Sequence, residues 1–251
     1  MNVLVIPDSH LRAWMFDSAD KIIQQHKPDK VVVLGDLVDD WGQERCVMLY
    51  EAMRDKCVEF ATKYPYTVWL YGNHDIAYLD AACQCSGHSV FATATVAEGL
   101  NRIQNALNDE IKIVARIDDV FFSHAGLAEV ECQLSKEAVS IEAEWDLITK
   151  HFNQTNYRRL WTDLSPIWYR PNNRFLPYSA GGCLQIAGHT PVRMTGLFQN
   201  LLITDTFSTD RALRPLGNQY FTMVDTKTHE LTFFDRNAEI VSGQEVVGVM
   251  R

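Results

Sequence analysis

Five short clusters of Asp, His, Asn and Gly residues stand out in this sequence because each follows directly on an apolar run. They are Asp8-Ser9-His10, Gly35-Asp36 with Asp39, Gly72-Asn73-His74-Asp75, Ser123-His124-Ala125-Gly126 and Gly188-His189-Thr190. Any one of them is ordinary in a turn, where such side chains hydrogen-bond the nearby backbone. Five in succession indicate one site assembled from several parts of the chain.

The residue types of these clusters indicate metal chemistry. Asp, His and Asn offer oxygen and nitrogen ligands, and such a set without cysteine suits divalent ions such as manganese, iron or zinc. Two ions about 3.5–4 Å apart need a bridging ligand, and a carboxylate serves because it has two acceptor oxygens. A pair of ions of this kind can hold a phosphoryl oxygen, activate a water molecule and stabilise a leaving oxygen.

The apolar runs that precede the clusters predict buried strands. Residues 2–8, 30–36 and 66–73 predict three strands, and the helical periodicity of 15–27 and 43–63 predicts a helix between each pair. This order implies parallel strands joined by right-handed crossovers. Because ligand sites collect at the carboxyl ends of strands in open α/β sheets, we expect the clusters to meet there.

After residue 110 the sequence predicts shorter strands. Residues 111–124 indicate two strands around an Asp-Asp turn, 183–189 and 200–206 one strand each, and 220–234 a closing hairpin. We interpret residues 1–251 as a single α/β domain of mixed α+β character. It carries helical or irregular inserts at about 80–110 and 130–180.

Composition and net charge argue against several classes of protein function. A net charge of −9 argues against nonspecific binding to nucleic acid or to an anionic membrane. No segment reaches the roughly 18 apolar residues of a membrane span, and the start of the chain, MNVLVIPDSH, is more typical of a core strand than of a signal peptide. We expect a cytoplasmic protein whose six cysteines are reduced.

Taken together, the clusters resemble the motifs of the calcineurin-like metallophosphoesterases, which are D-x-H, G-D-x-x-D, G-N-H-[DE], H-x-G and G-H-T, here running from Asp8 to Thr190. The stretches GDLVDD, GNHD, SHAGL and AGHTPV are most similar to the phosphoprotein-phosphatase branch. That branch includes bacterial Ser/Thr phosphatases and symmetrical diadenosine tetraphosphate hydrolases. The resemblance implies two mixed β-sheets packed as a sandwich with helices on both outer faces, a four-layer α/β/β/α fold.

The resemblance also implies roles for individual residues. It implies two divalent metal ions, manganese by preference, with iron, zinc or magnesium as alternatives. The implied metal ligands are Asp8, His10, Asp36, Asn73, His124 and His189, with Asp36 as the bridge. A metal-bridging hydroxide would be the nucleophile, and His74, oriented by Asp39, would protonate the leaving oxygen. A histidine suits that task because its ordinary pKa of about 6.5 lies close to neutrality.

Phosphate recognition is where this chain departs from the branch. An arginine usually follows the G-D-x-V-D run, whereas Asp40 stands there in this chain and is expected to add negative charge near the site. The stretch SPIWYRP at 165–171 is similar to a Trp-x-Arg-Pro stretch of the bacterial members. It makes Arg170 the expected phosphate clamp, since a guanidinium can donate two parallel hydrogen bonds. Pro7 and Leu11 also replace glycines that are common in the branch.

Two further patterns are weaker. Cys83-x-Cys85 with His88 suggests a zinc site, but three ligands at this spacing are atypical, and we favour packed thiols. The aromatic residues of 145–168 could stack on a nucleobase, but we predict core packing for them. They are Trp145, Phe152, Trp161 and Trp168.

The sequence therefore predicts a phosphomonoesterase whose substrate is a phosphoprotein or a nucleotide-derived phosphate. The alternative is a phosphodiesterase or dinucleoside polyphosphate hydrolase, which Asp40 suggests. A non-catalytic binding module on the same fold is a third interpretation. Such a protein should have lost a metal ligand or His74, and none is missing here.

Overall fold

The computed structural model describes residues 1–133, 138–242 and 248–249. Its strands are β1 (Asn2–Ile6), β2 (Lys30–Val33), β3 (Val68–Trp69), β4 (Val114–Ile117), β5 (Val120–Ser123), β6 (Leu184–Ala187), β7 (Gly196–Phe198), β8 (Leu201–Ile203), β9 (Phe221–Asp225), β10 (Leu231–Phe234) and β11 (Gly248–Val249). Its α-helices are α1 (Trp14–His26), α2 (Val47–Lys63), α3 (Asn73–Ile76), α4 (Thr93–Ala106) and α5 (Ile141–Gln154). Short 3-10 turns lie at Glu129–Glu131, Tyr157–Leu160 and Ala180–Gly182.

The strands form two mixed sheets. The first has the order β10-β9-β1-β2-β3, with β1, β2 and β3 parallel and β9 antiparallel to β1. The predicted parallel β-α-β-α-β arrangement is therefore confirmed. The second sheet has the order β11-β7-β8-β6-β5-β4, with β5, β6 and β8 parallel to one another.

The layers follow from the alternation of side chains along the strands. In β1, Leu4 and Ile6 pack with α1, α2 and α4 on the outer face of the first sheet. Val3 and Val5 point the other way and pack with residues of the second sheet. On the far side of the second sheet, Phe121 of β5 packs against α5. The predicted sandwich with helices on both outer faces is confirmed.

Some elements differ from the sequence prediction. The third strand is reduced to Val68–Trp69, because Leu70 makes a single bridge to Lys112 and the chain then leaves the sheet into α3. β7 was not predicted, since three residues beginning with a glycine are too short to show an alternating pattern.

The two predicted inserts contain helices. Residues 93–106 of the first form α4, which packs on α2. Residues 141–154 of the second form α5, and residues 134–137 of this insert lie outside the described residues. None of the helices in the described ranges is both long and apolar enough to cross a membrane. The assignment of 1–251 to a single domain stays a prediction.

Candidate metal centre

The loops that follow β1, β2, β3, β5 and β6 bring the predicted metal ligands to one edge of the sandwich. Potential ligand atoms of Asp8, His10 and Asp36 lie within 4.8 Å of one another, and so do those of Asp36, His124 and His189. Asp36 belongs to both groups, which is the position expected of a bridging carboxylate. The last predicted ligand, Asn73, has its Oδ1 3.0 Å from Nε2 of His124.

Backbone carbonyl groups orient two of the histidines. The Nδ1 of His10 lies 2.8 Å from the carbonyl oxygen of Asp39, and the Nδ1 of His124 lies 2.9 Å from that of Leu34. A carbonyl oxygen only accepts hydrogen bonds, so Nδ1 carries a hydrogen and Nε2 is the nitrogen that remains for a metal ion. These Nε2 atoms face the carboxylate of Asp36, whose Oδ2 lies 3.9 Å from that of His10 and 3.2 Å from that of His124. Metal-binding histidines are typically held in this way.

Three potential ligand atoms converge in the group that contains His124 and His189. The Nε2 of His124 lies 3.0 Å from Oδ1 of Asn73 and 3.2 Å from Nδ1 of His189. With the hydrogen of His124 on Nδ1 and that of His189 on Nε2, all three atoms are acceptors, and a cation between them would satisfy all three. The donor set and its orientation therefore fit divalent metal ions.

Two glycines make room for the carboxylates. A Cβ atom at Gly72 would lie 2.0 Å from Oδ1 of Asp36, and one at Gly188 would lie 1.9 Å from Oδ1 of Asp8. Asp75 then ties the loops together by accepting hydrogen bonds from the backbone N–H groups of Asp36, Leu37 and Gly72, at 2.8, 3.0 and 2.9 Å.

The electrostatics of the site are dominated by buried carboxylates and histidines. Burial would raise the pKa of Asp36, but the neighbouring histidines outweigh it and lower the pKa. Burial would lower the pKa of His124, but the carboxylates of Asp36 and Asp8 raise it to about 9. Burial and the nearby carboxylate of Asp205 raise the pKa of Asp8. In the metal-free protein, protons on Asp8 and His124 therefore reduce the repulsion among the buried carboxylates. Bound metal ions would supply this positive charge instead.

The predicted general acid is held by a carboxylate. The Nδ1 of His74 lies 2.9 Å from Oδ2 of Asp39, whose Oδ1 accepts hydrogen bonds from the hydroxyls of Tyr50 at 2.9 Å and Tyr78 at 2.5 Å. Burial would lower the pKa of His74, but the charge of Asp36 and the hydrogen bond with Asp39 raise it well above the ordinary value. His74 is therefore both oriented and favoured in its protonated form.

The candidate centre opens into a cleft of about 420 Å³. His74 and Asp39 line it together with His189, and so does the predicted phosphate clamp, Arg170. The Arg170 side chain is exposed, and its Nη1 donates to Oγ1 of Thr190 at 3.3 Å. Seven of the nine predicted site residues therefore line one cleft. The other two, Asp8 and His124, are buried behind it, with potential ligand atoms within 4.8 Å of those of Asp36.

Trp168 contacts both the core beside α5 and the cleft, and the sequence predicted only the first of these. It packs partly against the core beside α5, as predicted, and it also lines the cleft. There its ring lies 5.5 Å from the ring of His189 in a perpendicular arrangement. A single indole thus connects the second core to the wall of the candidate centre.

Asp40 lines the cleft, so its carboxylate lies near the site as expected, but Arg12 compensates its negative charge. The Oδ2 of Asp40 forms a 2.7 Å salt bridge with Nη2 of Arg12, and its Oδ1 accepts a 2.9 Å hydrogen bond from Thr209. Both charged side chains are largely buried, at 12% and 13% exposed. Arg12 also donates to the backbone carbonyls of Ser9 and His10. The pair therefore neutralises Asp40 and braces the first metal-binding loop.

A second arginine of the cleft was not predicted. The guanidinium carbon of Arg211 lies 5.3 Å from the centre of the Trp41 ring, and both residues line the cleft. Trp41 is fixed in turn by a 3.2 Å hydrogen bond from its Nε1 to the carbonyl oxygen of Thr209. The side chain of Arg211 is exposed to solvent. A single arginine in a loop carries no sequence signal that could have pointed to this position.

Several solved structures of low sequence identity are similar to this chain. A protein serine/threonine phosphatase from Saccharomyces cerevisiae, with similarity to human phosphatase PP5, is 13% identical with a TM-score of 0.50, over 97% of this chain and 82% of that chain. YfcE, a phosphoesterase from E. coli, is 12% identical with a TM-score of 0.46, over 96% and 97%. An archaeal phosphodiesterase is 13% identical with a TM-score of 0.40, over 96% and 100%. No curated protein matches the sequence.

The sequence model of the calcineurin-like phosphoesterase family matches residues 1–193. This range covers more than half of the chain and includes all five clusters from which the candidate centre is built. The chain belongs to the calcineurin-like phosphoesterase family, and it is a phosphoesterase hydrolase.

Proposed function

We propose that this enzyme is a phosphomonoesterase that works with two divalent metal ions, manganese by preference. The residues that would hold them are Asp8, His10, Asp36, Asn73, His124 and His189. When bound, such ions polarise a phosphoryl group and activate the attacking water. The observation that carries the proposal is that the His74–Asp39 pair and Arg170 line the same cleft as four of these ligands, which are His10, Asp36, Asn73 and His189.

His74 is placed to act on the leaving group. Asp39 occupies its Nδ1, so Nε2 is the nitrogen that remains for a substrate in the cleft. The alkoxide leaving from a phosphorylated serine, threonine or sugar is strongly basic and needs a proton as the P–O bond breaks. The raised pKa of His74 keeps that proton available at neutral pH.

Arg170 is placed to bind the phosphoryl oxygens. Its exposed guanidinium makes one long hydrogen bond, to Thr190, and keeps its other donors for an anion. The cleft of about 420 Å³ is larger than a phosphoryl group, so it also has room for part of the leaving group. This supports a phosphoprotein or a nucleotide-derived phosphate as the substrate.

A phosphodiester or dinucleoside polyphosphate is the second candidate substrate. The Trp41–Arg211 pair favours it, because a stacked ring and an exposed guanidinium at the cleft could receive a second substituent or a second phosphate. Asp40 no longer supports this alternative, since Arg12 neutralises it.

The test compares phenyl phosphate with diphenyl phosphate on protein stripped of metal and reloaded with manganese. We expect kcat/KM on the monoester to exceed that on the diester by at least about tenfold, and the activity to depend on His74. His151→Asn is the matched control, because His151 is an exposed histidine on α5. The opposite preference would favour the diesterase, and no His74-dependent hydrolysis of either ester would reject both candidates.

A further inference from the structure

The cysteines of the C-x-C pattern at 83–85 face different surroundings. Cys83 is fully buried in the core beside α5. His88 stacks on the ring of Tyr78, with 4.2 Å between ring centres. Cys85 is only partly buried, and its Sγ lies 3.4 Å from Nδ1 of His74. The zinc site suggested by Cys83, Cys85 and His88 does not form, but Cys85 has acquired other neighbours.

Cys85, His74 and Asp39 present a sulfur, a nitrogen and an oxygen to one point. Their potential ligand atoms all lie within 4.8 Å of one another. A tetrahedral zinc ion would separate a nitrogen and an oxygen ligand by about 3.4 Å, and a nitrogen and a sulfur ligand by about 3.6 Å. The observed separations are 2.9 Å from His74 to Asp39 and 3.4 Å from His74 to Cys85. These two separations therefore lie within about 0.5 Å of those in a tetrahedral zinc site.

The surroundings suit an ion at this point. The hydroxyls of Tyr50 and Tyr78 occupy Oδ1 of Asp39 and leave Oδ2 for a ligand bond, as outer-shell partners do in metal sites. His74, Asp39 and the residues that follow Cys85, which are Ser86 and Gly87, line the cleft. An ion can therefore enter from the cleft, and a water molecule can complete its coordination.

We propose that Asp39, His74 and Cys85 form a zinc-binding site that inhibits the enzyme when it is occupied. Thiolate, imidazole and carboxylate together select zinc, whereas the sulfur-free ligands of the candidate metal centre also accept manganese or magnesium. Binding releases the thiol proton of Cys85 and the Nδ1 proton of His74 to solvent. The two negative charges of Asp39 and Cys85 then balance the charge of the ion.

Zinc at this site would inhibit the enzyme because it occupies Nδ1 of His74. An imidazole bound to zinc through Nδ1 cannot take up the second proton that makes it an imidazolium. The ring therefore loses its acid strength and its hydrogen bond to Asp39. This inhibitory effect rests on the proposed role of His74 as the general acid, whereas the existence of the site does not.

Cobalt(II) tests the site without reference to activity. Cobalt bound to a thiolate gives a near-ultraviolet charge-transfer band, and cobalt bound to the sulfur-free candidate centre does not. We expect this band in the wild type and in Cys46→Ser, the matched control with an exposed thiol, and its loss in Cys85→Ser. No band in the wild type, or an unchanged band in Cys85→Ser, would overturn the site.

Zinc titration of the manganese-loaded enzyme tests the inhibition. We expect zinc to inhibit the wild type and Cys46→Ser at concentrations at least about tenfold below those needed for Cys85→Ser. Equal inhibition of all three proteins would show that zinc acts at the candidate centre, and would overturn the inhibitory role. A cobalt band that depends on Cys85, together with phosphatase activity that zinc leaves unchanged, would instead reject His74 as the acid.

Discussion

Arg12 and Asp40 form a salt bridge beside the candidate metal centre, with 2.7 Å between Nη2 and Oδ2. The two residues are 28 positions apart, and Thr209 completes the network from the far end of the chain. The pair brings the loop after β1 and the loop after β2 together, and both loops carry candidate metal ligands.

Removal of Asp40 should destabilise the protein more than removal of the whole pair. Asp40→Ala leaves the largely buried guanidinium of Arg12 without its partner. We expect a loss of about 3 kcal/mol in the free energy of unfolding, measured by urea denaturation. The double variant Arg12→Met with Asp40→Ala should recover part of this loss. A double variant less stable than Asp40→Ala would mean that Arg12 acts through its other contacts.

Replacement of His74 should matter most for poor leaving groups. His74→Asn removes the proton donor but keeps a polar side chain at the cleft. We expect kcat to fall by about 10²–10⁴ on alkyl phosphates and by much less on nitrophenyl phosphate, whose leaving oxygen needs no proton. The measurement is the dependence of kcat on the pKa of the leaving group. An equal loss on every ester would assign His74 a positioning role.

Metal affinity should rise with pH. In the metal-free protein, the carboxylates of Asp36 and Asp8 raise the pKa of His124 to about 9. Below that pH the imidazole carries a proton that a metal ion must displace, so the proton competes with the metal. For one released proton, the apparent Kd for manganese should fall by about tenfold per pH unit up to about pH 9. Calorimetric titration at several pH values checks this slope, and a Kd independent of pH would contradict it.

The two arginines of the cleft should contribute differently. Arg170→Ala should lower kcat/KM on phosphomonoesters by about 10–100-fold, because it removes charge-assisted hydrogen bonds to the phosphoryl oxygens. Arg211→Ala should have its larger effect on dinucleoside polyphosphates, which reach the Trp41–Arg211 side of the cleft. Steady-state kinetics on both substrate classes give the comparison.

Arg174→Ala serves as the control for both arginine variants. Its side chain is exposed and lies over the ring of Phe175, and it does not contribute to the lining of the cleft. We expect its kinetics to match the wild type on both substrate classes. Equal effects of Arg170→Ala and Arg211→Ala on every substrate would contradict the division of roles between the two arginines.

The sequence by itself determined the strands that carry the site. The apolar runs before Asp8, Asp36 and Asn73 are local patterns, and parallel pairing places their carboxyl ends at one edge. The motifs therefore predicted which residues lie together: seven of the nine line one cleft, and Asp8 and His124 lie buried beside Asp36. Their roles in metal binding and catalysis stay predictions. Short strands such as β7 carry too few residues to produce such a pattern.

The tertiary structure alone decided what surrounds those residues. Gly72 has an ordinary extended backbone, and the reason for a glycine there is the carboxylate of Asp36, which occupies the space of a Cβ atom. The neutralisation of Asp40 by Arg12 and the approach of Cys85 to His74 are likewise contacts between separate loops. Such contacts depend on how the loops pack on the two sheets, and no local pattern of residues encodes that packing.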